Sequence, residues 1–283
     1  MASLDARTLA ARFERTVVGF WSLGGRTVQR RHFQEVSHPT APDHPLGNFV
    51  HRVRGDPRAA LHELIGADRT PCTAARRRIL IETATPPALE ATLVVDDWQL
   101  ECQLQLVLSS TTPIDAPTSP VRPATRDADW QAITDLFRAD HLEEDARRGD
   151  PPRPASSTQA AVALRRSLGP DVEYLLAHRG ERVTGCLAIW VSEEGVGLVE
   201  DLFVRPEARG TGVATELLRH AVHRSRRRGA GAIVIGAETD DTPKHLYAKF
   251  GFEPAAVLRS YTAPPSLPPR HDGGPAARDT PTT

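Results

Sequence analysis

The chain has 283 residues, 40% of them hydrophobic, and a formal charge of only −1 at neutral pH. That balance argues against a general nucleic-acid binder, which needs a strongly basic surface to release counterions from phosphate; the short runs Arg30-Arg31 and Arg76-Arg77-Arg78 read as solvated faces. The length exceeds one typical domain, so two units are expected. Three cysteines, Cys72, Cys102 and Cys186, are odd in number and lack metal or redox spacing. They read as reduced thiols. No apolar run reaches membrane-spanning length and residues 1–20 lack a signal-peptide core, so the expectation is a soluble, cytoplasmic protein with no membrane partner.

In chain order, Asn48-Phe49-Val50 leads through Arg54-Gly55-Asp56-Pro57 into a helix over residues 59–65. A strand follows at 78–82, a Pro-started helix from Thr85-Pro86, and a strand over 100–108. Residues 109–120 are small, polar and Pro-rich, and read as a linker. A second unit spans 121–262. It opens with a strand at 121–125 and a helix at 127–137 that places Trp130, Ile133, Leu136 and Phe137 on one face. A Pro-rich break at 147–154 and a helix near 157–168 follow, then strands at 172–178, 182–191 and 197–204. Residues 263–283 hold repeated Pro and Gly with few bulky apolar residues, the composition of a disordered tail.

The stretch Val199-Glu-Asp-Leu-Phe-Val-Arg-Pro-Glu-Ala-Arg-Gly-Thr-Gly-Val-Ala214 carries the strongest chemical signal. An apolar strand stops at Pro206, and Gly210 and Gly212 allow a tight turn with no Cβ in the way of a ligand. Val213, Leu217, Leu218, Ala221 and Val222 then recur at helical spacing. The turn therefore ends at a helix N-terminus, whose unpartnered N–H groups and dipole favour an anion. Arg209 adds a formal charge. A P-loop would need Lys-Ser/Thr after its last glycine, where Val213-Ala214 stands, and a dinucleotide fingerprint would need a third glycine.

Arg209, Gly212 and Ala214 match R-x-x-G-x-A, which resembles the coenzyme A signature of the GCN5-related N-acetyltransferases (GNAT superfamily). Downstream, the strand at 232–238 and the run Thr242-Pro-Lys-His-Leu-Tyr-Ala-Lys-Phe-Gly-Phe252 resemble the family's closing elements, in order and spacing. Asp240 departs from the Asn that the family often has seven residues before the Tyr. The resemblance implies an α/β fold with a mixed sheet over about half the chain. Seen against it, the first 108 residues look like a worn copy of the same unit, which makes a tandem: 1–108 degenerate, 121–262 catalytic. Aligning Thr85-Pro86 with Thr242-Pro243 puts Glu90 where Tyr247 stands, and Pro57 falls close to Gly212. Pro57 deletes an N–H donor, so the copy is expected to bind no nucleotide.

The resemblance further implies acetyl-CoA as cosubstrate, held by the backbone of Leu202, Phe203 and Val204 and by the turn Arg209, Gly210, Thr211, Gly212, Val213, Ala214 and Thr215. Glu200 is the candidate base, with Asp201 as second choice; Tyr247 is the candidate acid for the departing thiolate. The strand is expected to splay from its neighbour at a bulge, freeing N–H groups near 202–204 for the oxyanion. The acceptor, a primary amine on a small molecule or peptide, is expected to be shaped by residues 140–154, where Asp140, Glu143, Glu144, Asp145 and Asp150 would suit a cation. His141 and His245 lack ligand-spaced partners, so no metal is expected. The chain is expected to be a monomer or homodimer. Two other readings fit the same residues: a non-catalytic acyl-CoA binder, and an acyltransferase with another donor or a hydroxyl acceptor.

Overall fold

The computed structural model describes residues 6–41, 47–66 and 78–264, with residues 6–9 as backbone alone. The expectations that fell on Cys72, on Arg76-Arg77 and on the tail from 265 onward lie outside these described residues. Helix α1 (Ala6–Ser22) opens the chain, followed by β1 (Arg26–Gln29), β2 (Gln34–Ser37), β3 (Phe49–His51), α2 (Pro57–Gly66), β4 (Arg78–Ile81), α3 (Pro87–Val95) and β5 (Gln99–Ser109). The remainder comprises β6 (Val121–Pro123), α4 (Asp127–Arg148), α5 (Ala155–Ser167), β7 (Glu173–Arg179), β8 (Arg182–Val191) and β9 (Val196–Val204). Then come α6 (Val213–Arg227), β10 (Ala232–Glu238), α7 (Pro243–Phe250) and β11 (Glu253–Thr262).

All the strands form one mixed sheet, in the order β1-β2-β3-β4-β11-β5-β10-β9-β8-β7-β6. Two neighbouring pairs are parallel, β3·β4 and β9·β10. A parallel pair requires a crossover, and a single helix supplies each one, α2 and α6. The two crossovers repeat in detail. Val50 lies opposite Ile79 in one ladder, and Val199 lies opposite Ile235 in the other. In both, the residue two positions beyond the paired valine has a left-handed φ, 51° at Arg52 and 54° at Asp201. Eight residues after the paired isoleucine, a proline opens the next helix, Pro87 in α3 and Pro243 in α7.

The final strands are exchanged. β5 lies between β11 and β10, and β11 lies between β4 and β5. Each half of the chain thus closes the sheet of the other, and residues 121–262 taken alone lack β5, the strand that joins β10 to β11.

This register corrects two of the sequence alignments by one residue. Ala91, the fifth residue of α3, stands where Tyr247, the fifth of α7, stands in the other half; Glu90 instead bonds Arg259 at 2.8 Å. Pro57 opens α2 as Val213 opens α6, so Asp56 takes the place of Gly212. The Thr-Pro dipeptide is not equivalent in the two halves, because Pro86 is the cap of α3 and Pro87 its first residue, whereas Pro243 itself opens α7.

The core is built on both faces. On one, Phe13, Val17 and Trp21 of α1 join Ile133, Leu136 and Phe137 of α4 in a single cluster, so the halves share apolar surface. On the other, Leu217, Leu218, Ala221 and Val222 of α6 pack with Tyr247 and with Leu106 and Leu108 of β5. Residues 110–120 have no regular structure but are held to α6. Glu216 accepts from the backbone N–H of Thr118 and Ser119 at 2.8 and 2.9 Å, and Arg226 donates to the carbonyl of Thr112 at 2.6 Å. Cys102 is half-buried and Cys186 buried, and both are free thiols. Among the described residues, no helix is long and apolar enough to cross a membrane.

Candidate active site

Helix α6 starts at Gly212, whose φ is 89° and which makes no side-chain cap. The first helical N–H to find a carbonyl is that of Glu216, which donates to Gly212 at 3.0 Å. The N–H groups of Val213, Ala214 and Thr215 precede it and have no helical acceptor. A Cβ added at Gly210 or Gly212 would meet nothing within 4 Å, so the space above the turn is open. The positive φ of both residues, 74° and 89°, is what excludes other side chains there. Thr211 closes the turn by donating from its hydroxyl to the carbonyl of Ala208 at 2.8 Å. Arg209 is anchored by its Nε to the carbonyl of Val204 at 3.0 Å, lies over the ring of Phe203, and pairs with Glu143 at 2.6 Å. Such a turn can cradle a pyrophosphate.

Strand β9 is bulged where a bulge was expected. Glu200 is opposite Ala188 and Phe203 opposite Cys186, so Asp201 and Leu202 face Leu187 alone. The left-handed φ of Asp201 creates this kink. On its other side, the ladder to β10 ends at Val199 and Ile235. From Glu200 to Val204 the strand is therefore free of β10, and the wedge between them opens onto the α6 turn. Phe203 and Val204 are buried, while Leu202 lines the open cleft.

Glu200, Asp201, Leu202 and Tyr247 all line one cleft of about 870 Å³. Burial pushes the Glu200 carboxyl up to about 8, and the neighbouring Asp201 charge adds to the rise. Arg165 and the indole of Trp21 pull it partway back. That indole N–H comes from α1 in the first half and is itself buried with no partner within bonding distance. Asp201 is differently placed: it accepts from Arg165 Nε at 3.0 Å and from the Tyr174 hydroxyl. A carboxylate held by two donors is a poor proton acceptor, so the second-choice base is a support for the bulge. Burial raises the Tyr247 phenol well above its ordinary value, with Glu200 adding to the effect. It keeps its proton at neutral pH and stands as a donor toward the cleft. Asp240, at the family's Asn position, is largely exposed and reaches Arg147 at 3.4 Å.

The region expected to be a loop at 140–154 is mostly helix, because α4 runs on to Arg148. Its second half lacks an apolar stripe since it lines a polar cleft, so the periodicity fades while the helix persists. Glu144 and Arg148 support it at helical spacing, 2.9 Å apart. Gly149, with φ 75°, ends it. Of the acids singled out there, Asp145 is bound by Arg153 at 2.7 Å, while Asp140, Glu143 and Glu144 face the cleft. His141 bonds Thr158 at 2.9 Å. Among the described residues, no group of His, Cys, Asp and Glu could hold a metal.

Sequence reading missed three contributors: Arg165 and Tyr174, which bind Asp201, and the far wall of the cleft. That wall comes from the first half, with Asn48, Arg78, Glu101 and Gln103. No spacing rule links residues across the exchanged strands, so no local pattern could have placed them.

Comparison with known proteins agrees with this architecture. Residues 130–252 match the model of the acetyltransferase (GNAT) family. Over 98 residues, 34% of this chain, it is 33% identical to a protein of Azospirillum brasilense named IAA acetyltransferase, and the chain spans 64% of the length of that curated relative. In fold, it is similar to a GCN5-related N-acetyltransferase from Kribbella flavida, with a TM-score of 0.63 and 17% identity over 91% of this chain and 96% of that one. A GCN5-related N-acetyltransferase from Sphaerobacter thermophilus gives a TM-score of 0.55 with 16% identity, covering 90% of each chain. Both likenesses run through the first half as well as the second.

Proposed function

We propose that the chain is an acetyl-CoA-dependent N-acetyltransferase whose catalytic unit is 121–262 and whose first half, 1–108, is a degenerate copy that helps to wall the acceptor cleft. The observation that carries this reading is the joining of two features: a helix N-terminus with no cap of its own, and a cleft that holds one unpaired carboxyl and one protonated phenol, Glu200 and Tyr247.

Acetyl-CoA would supply an activated acetyl thioester, with its pyrophosphate over the N–H groups of Val213, Ala214 and Thr215 and the charge of Arg209. The backbone of Leu202, Phe203 and Val204, free of β10, offers donors to its acyl arm and to a developing oxyanion. An alkyl ammonium has a pKa of about 10.4, so Glu200 accepts its proton, directly or through water. The freed nitrogen attacks the acyl carbon, the C–S bond breaks, and Tyr247 donates its proton to the departing sulfur. A carboxyl poised near 8 suits the first task at neutral pH. The acceptor in this reading is a small molecule, in keeping with the name of the Azospirillum relative.

The test is release of free thiol from acetyl-CoA in the presence of an amine panel, with calorimetry of acetyl-CoA alone. Turnover with any amine supports the reading. Tight CoA binding with no turnover on any acceptor would leave a non-catalytic acyl-CoA binder instead.

A further inference from the structure

Five arginines line the cleft, and four of them are spent on acids. Arg147 and Arg148 each give a terminal nitrogen to Glu238, Arg153 gives one to Glu144, and Arg78 gives one to Glu101. Arg165, on α5, is bound differently. It meets Asp201 through Nε at 3.0 Å, and that is its only hydrogen bond among the described residues. A guanidinium carries its N–H donors in a planar fork, so both terminal nitrogens of Arg165 are left with no protein acceptor. The side chain is only 4% exposed, yet it forms part of the cleft wall. The guanidinium nitrogens that the fold seals away unpaired belong to Arg224 and Arg226, not to Arg165.

The position of Arg165 is fixed without those terminal nitrogens. Its charge lies over the ring of Phe20, 5.3 Å from the centre, and the Tyr174 hydroxyl shares the Asp201 oxygen that Nε holds. Support of the β9 bulge therefore accounts for Nε alone. A charged fork at this depth needs acceptors to offset its lost hydration, and on this side only the cleft can bring them. A carboxylate matches such a fork with two parallel bonds. The neighbourhood limits which carboxylate can enter. Glu200 precedes Asp201 in the chain, and the Arg165 charge opposes the rise that burial imposes on the Glu200 carboxyl. Fork and base thus lie close together. A lone anion would meet the acids of β9 as well as the fork. An anion carried by an amine brings its own cation for Glu200 to receive, and the charges pair.

We infer that the acceptor carries a carboxylate close to its reacting amine, as an amino acid does, and that the terminal nitrogens of Arg165 bind it. This rests on the acetyl-transfer reading above and names the class of its acceptor.

An amino acid and the amine left by its decarboxylation differ by this one group. Phenylalanine with phenethylamine, leucine with isopentylamine, and lysine with cadaverine are matched pairs. With the full chain saturated in CoA, calorimetry should show the amino acid of at least one pair binding about tenfold more tightly than its amine, the size of one charge-assisted contact. Arg165→Gln should bring that ratio close to one. Because this variant leaves the buried Asp201 without its cation, Arg165→Lys is measured beside it. Lysine keeps a charge for Asp201 but has no fork, and most of the preference should be lost. No tighter binding of the amino acid in any pair, or a ratio unchanged in Arg165→Lys, would overturn the inference. Turnover is read separately. If an amino acid binds through Arg165 but no acceptor is ever acetylated, the anion subsite stands and the acetyl-transfer reading fails. If plain amines are acetylated as readily as the amino acids, the reverse holds.

Discussion

The two crossover helices of this sheet begin from the same register and meet different ends. At α6, Gly212 leaves the first N–H groups uncapped beneath open space. At α2, Asp56 stands in the same place and its carboxylate accepts from the N–H of Ala59 at 2.8 Å, while Pro57 removes another donor. The helix dipole attracts negative charge at both. In one, the protein supplies that charge itself; in the other, it leaves the position to a ligand. The rest of the first half follows suit, with His51 and Arg52 where β9 has Glu200 and Asp201, and Ala91 where α7 has Tyr247. What survives in both halves is the backbone path, down to the left-handed residue beyond the paired valine. Fold and chemistry are separable here: the same kink occurs with a carboxylate and a phenol near it in one half and without them in the other.

The sharpest way to break the comparison is to make α6 resemble α2. Gly212→Asp would place a carboxylate over the N–H groups that a pyrophosphate would need, and would repel it as well. CoA affinity measured by calorimetry should fall by about a hundredfold or more, with a stability cost of about 1–2 kcal/mol for a side chain at positive φ. The reciprocal change, Asp56→Gly, uncaps α2 but restores neither the N–H lost at Pro57 nor a phenol at Ala91. Titration should still give one CoA site per chain. A second site appearing in Asp56→Gly would mean that the first half is closer to function than its residues imply.

Next in size is Tyr247→Phe, which leaves α7 without a hydroxyl, as at Ala91 of its counterpart, and does not disturb the ring packed against Phe252. Turnover should fall by about 10²–10⁴-fold, the range for a lost general acid, with acetyl-CoA affinity unchanged. A wild-type rate in this variant would assign the proton to water or another group.

The contrast between the turns also marks how far the sequence could be read. The glycine pair, the helix that follows and the Tyr helix are local, and local spacing reveals them. The bulge at Asp201 was legible only through the family resemblance, because nothing in Glu200-Asp201-Leu202 itself demands a left-handed φ. Two things were hidden. The exchange of β5 and β11 is a matter of pairing between distant segments, and both strands look alike whichever partner they take. The extension of α4 was masked because residues 138–148 face a polar cavity and lose their apolar rhythm. A one-residue slip in the repeat followed from the same limit, since Pro86 and Pro87 are equally good openings for a helix.

A smaller effect should come from Trp21→Phe, in which the first half loosens its hold on the second. The indole lowers the Glu200 carboxyl from a value that burial sets high. Without it, the carboxyl should rise further above 8, leaving less of the ionised base at neutral pH. We expect kcat at pH 7 to drop a few-fold while the rate at high pH recovers, so that the acid limb of the profile moves upward. A uniform loss at every pH would reduce Trp21 to a packing residue; it already packs edge-on against Phe49.

The smallest expected change is in stability, and it separates the cleft from the first half thermodynamically. Asp140 has an ordinary value near 3.8 when unfolded and about 7 in the folded chain. Between those limits the native state keeps a proton that the unfolded chain has lost, so stability declines as pH rises through that range. Asn carries no such charge. The Asp140→Asn variant should therefore melt above the parent at pH 8 and converge with it by pH 4, as followed by circular dichroism. A pH-independent gap would mean that the substitution acts through packing.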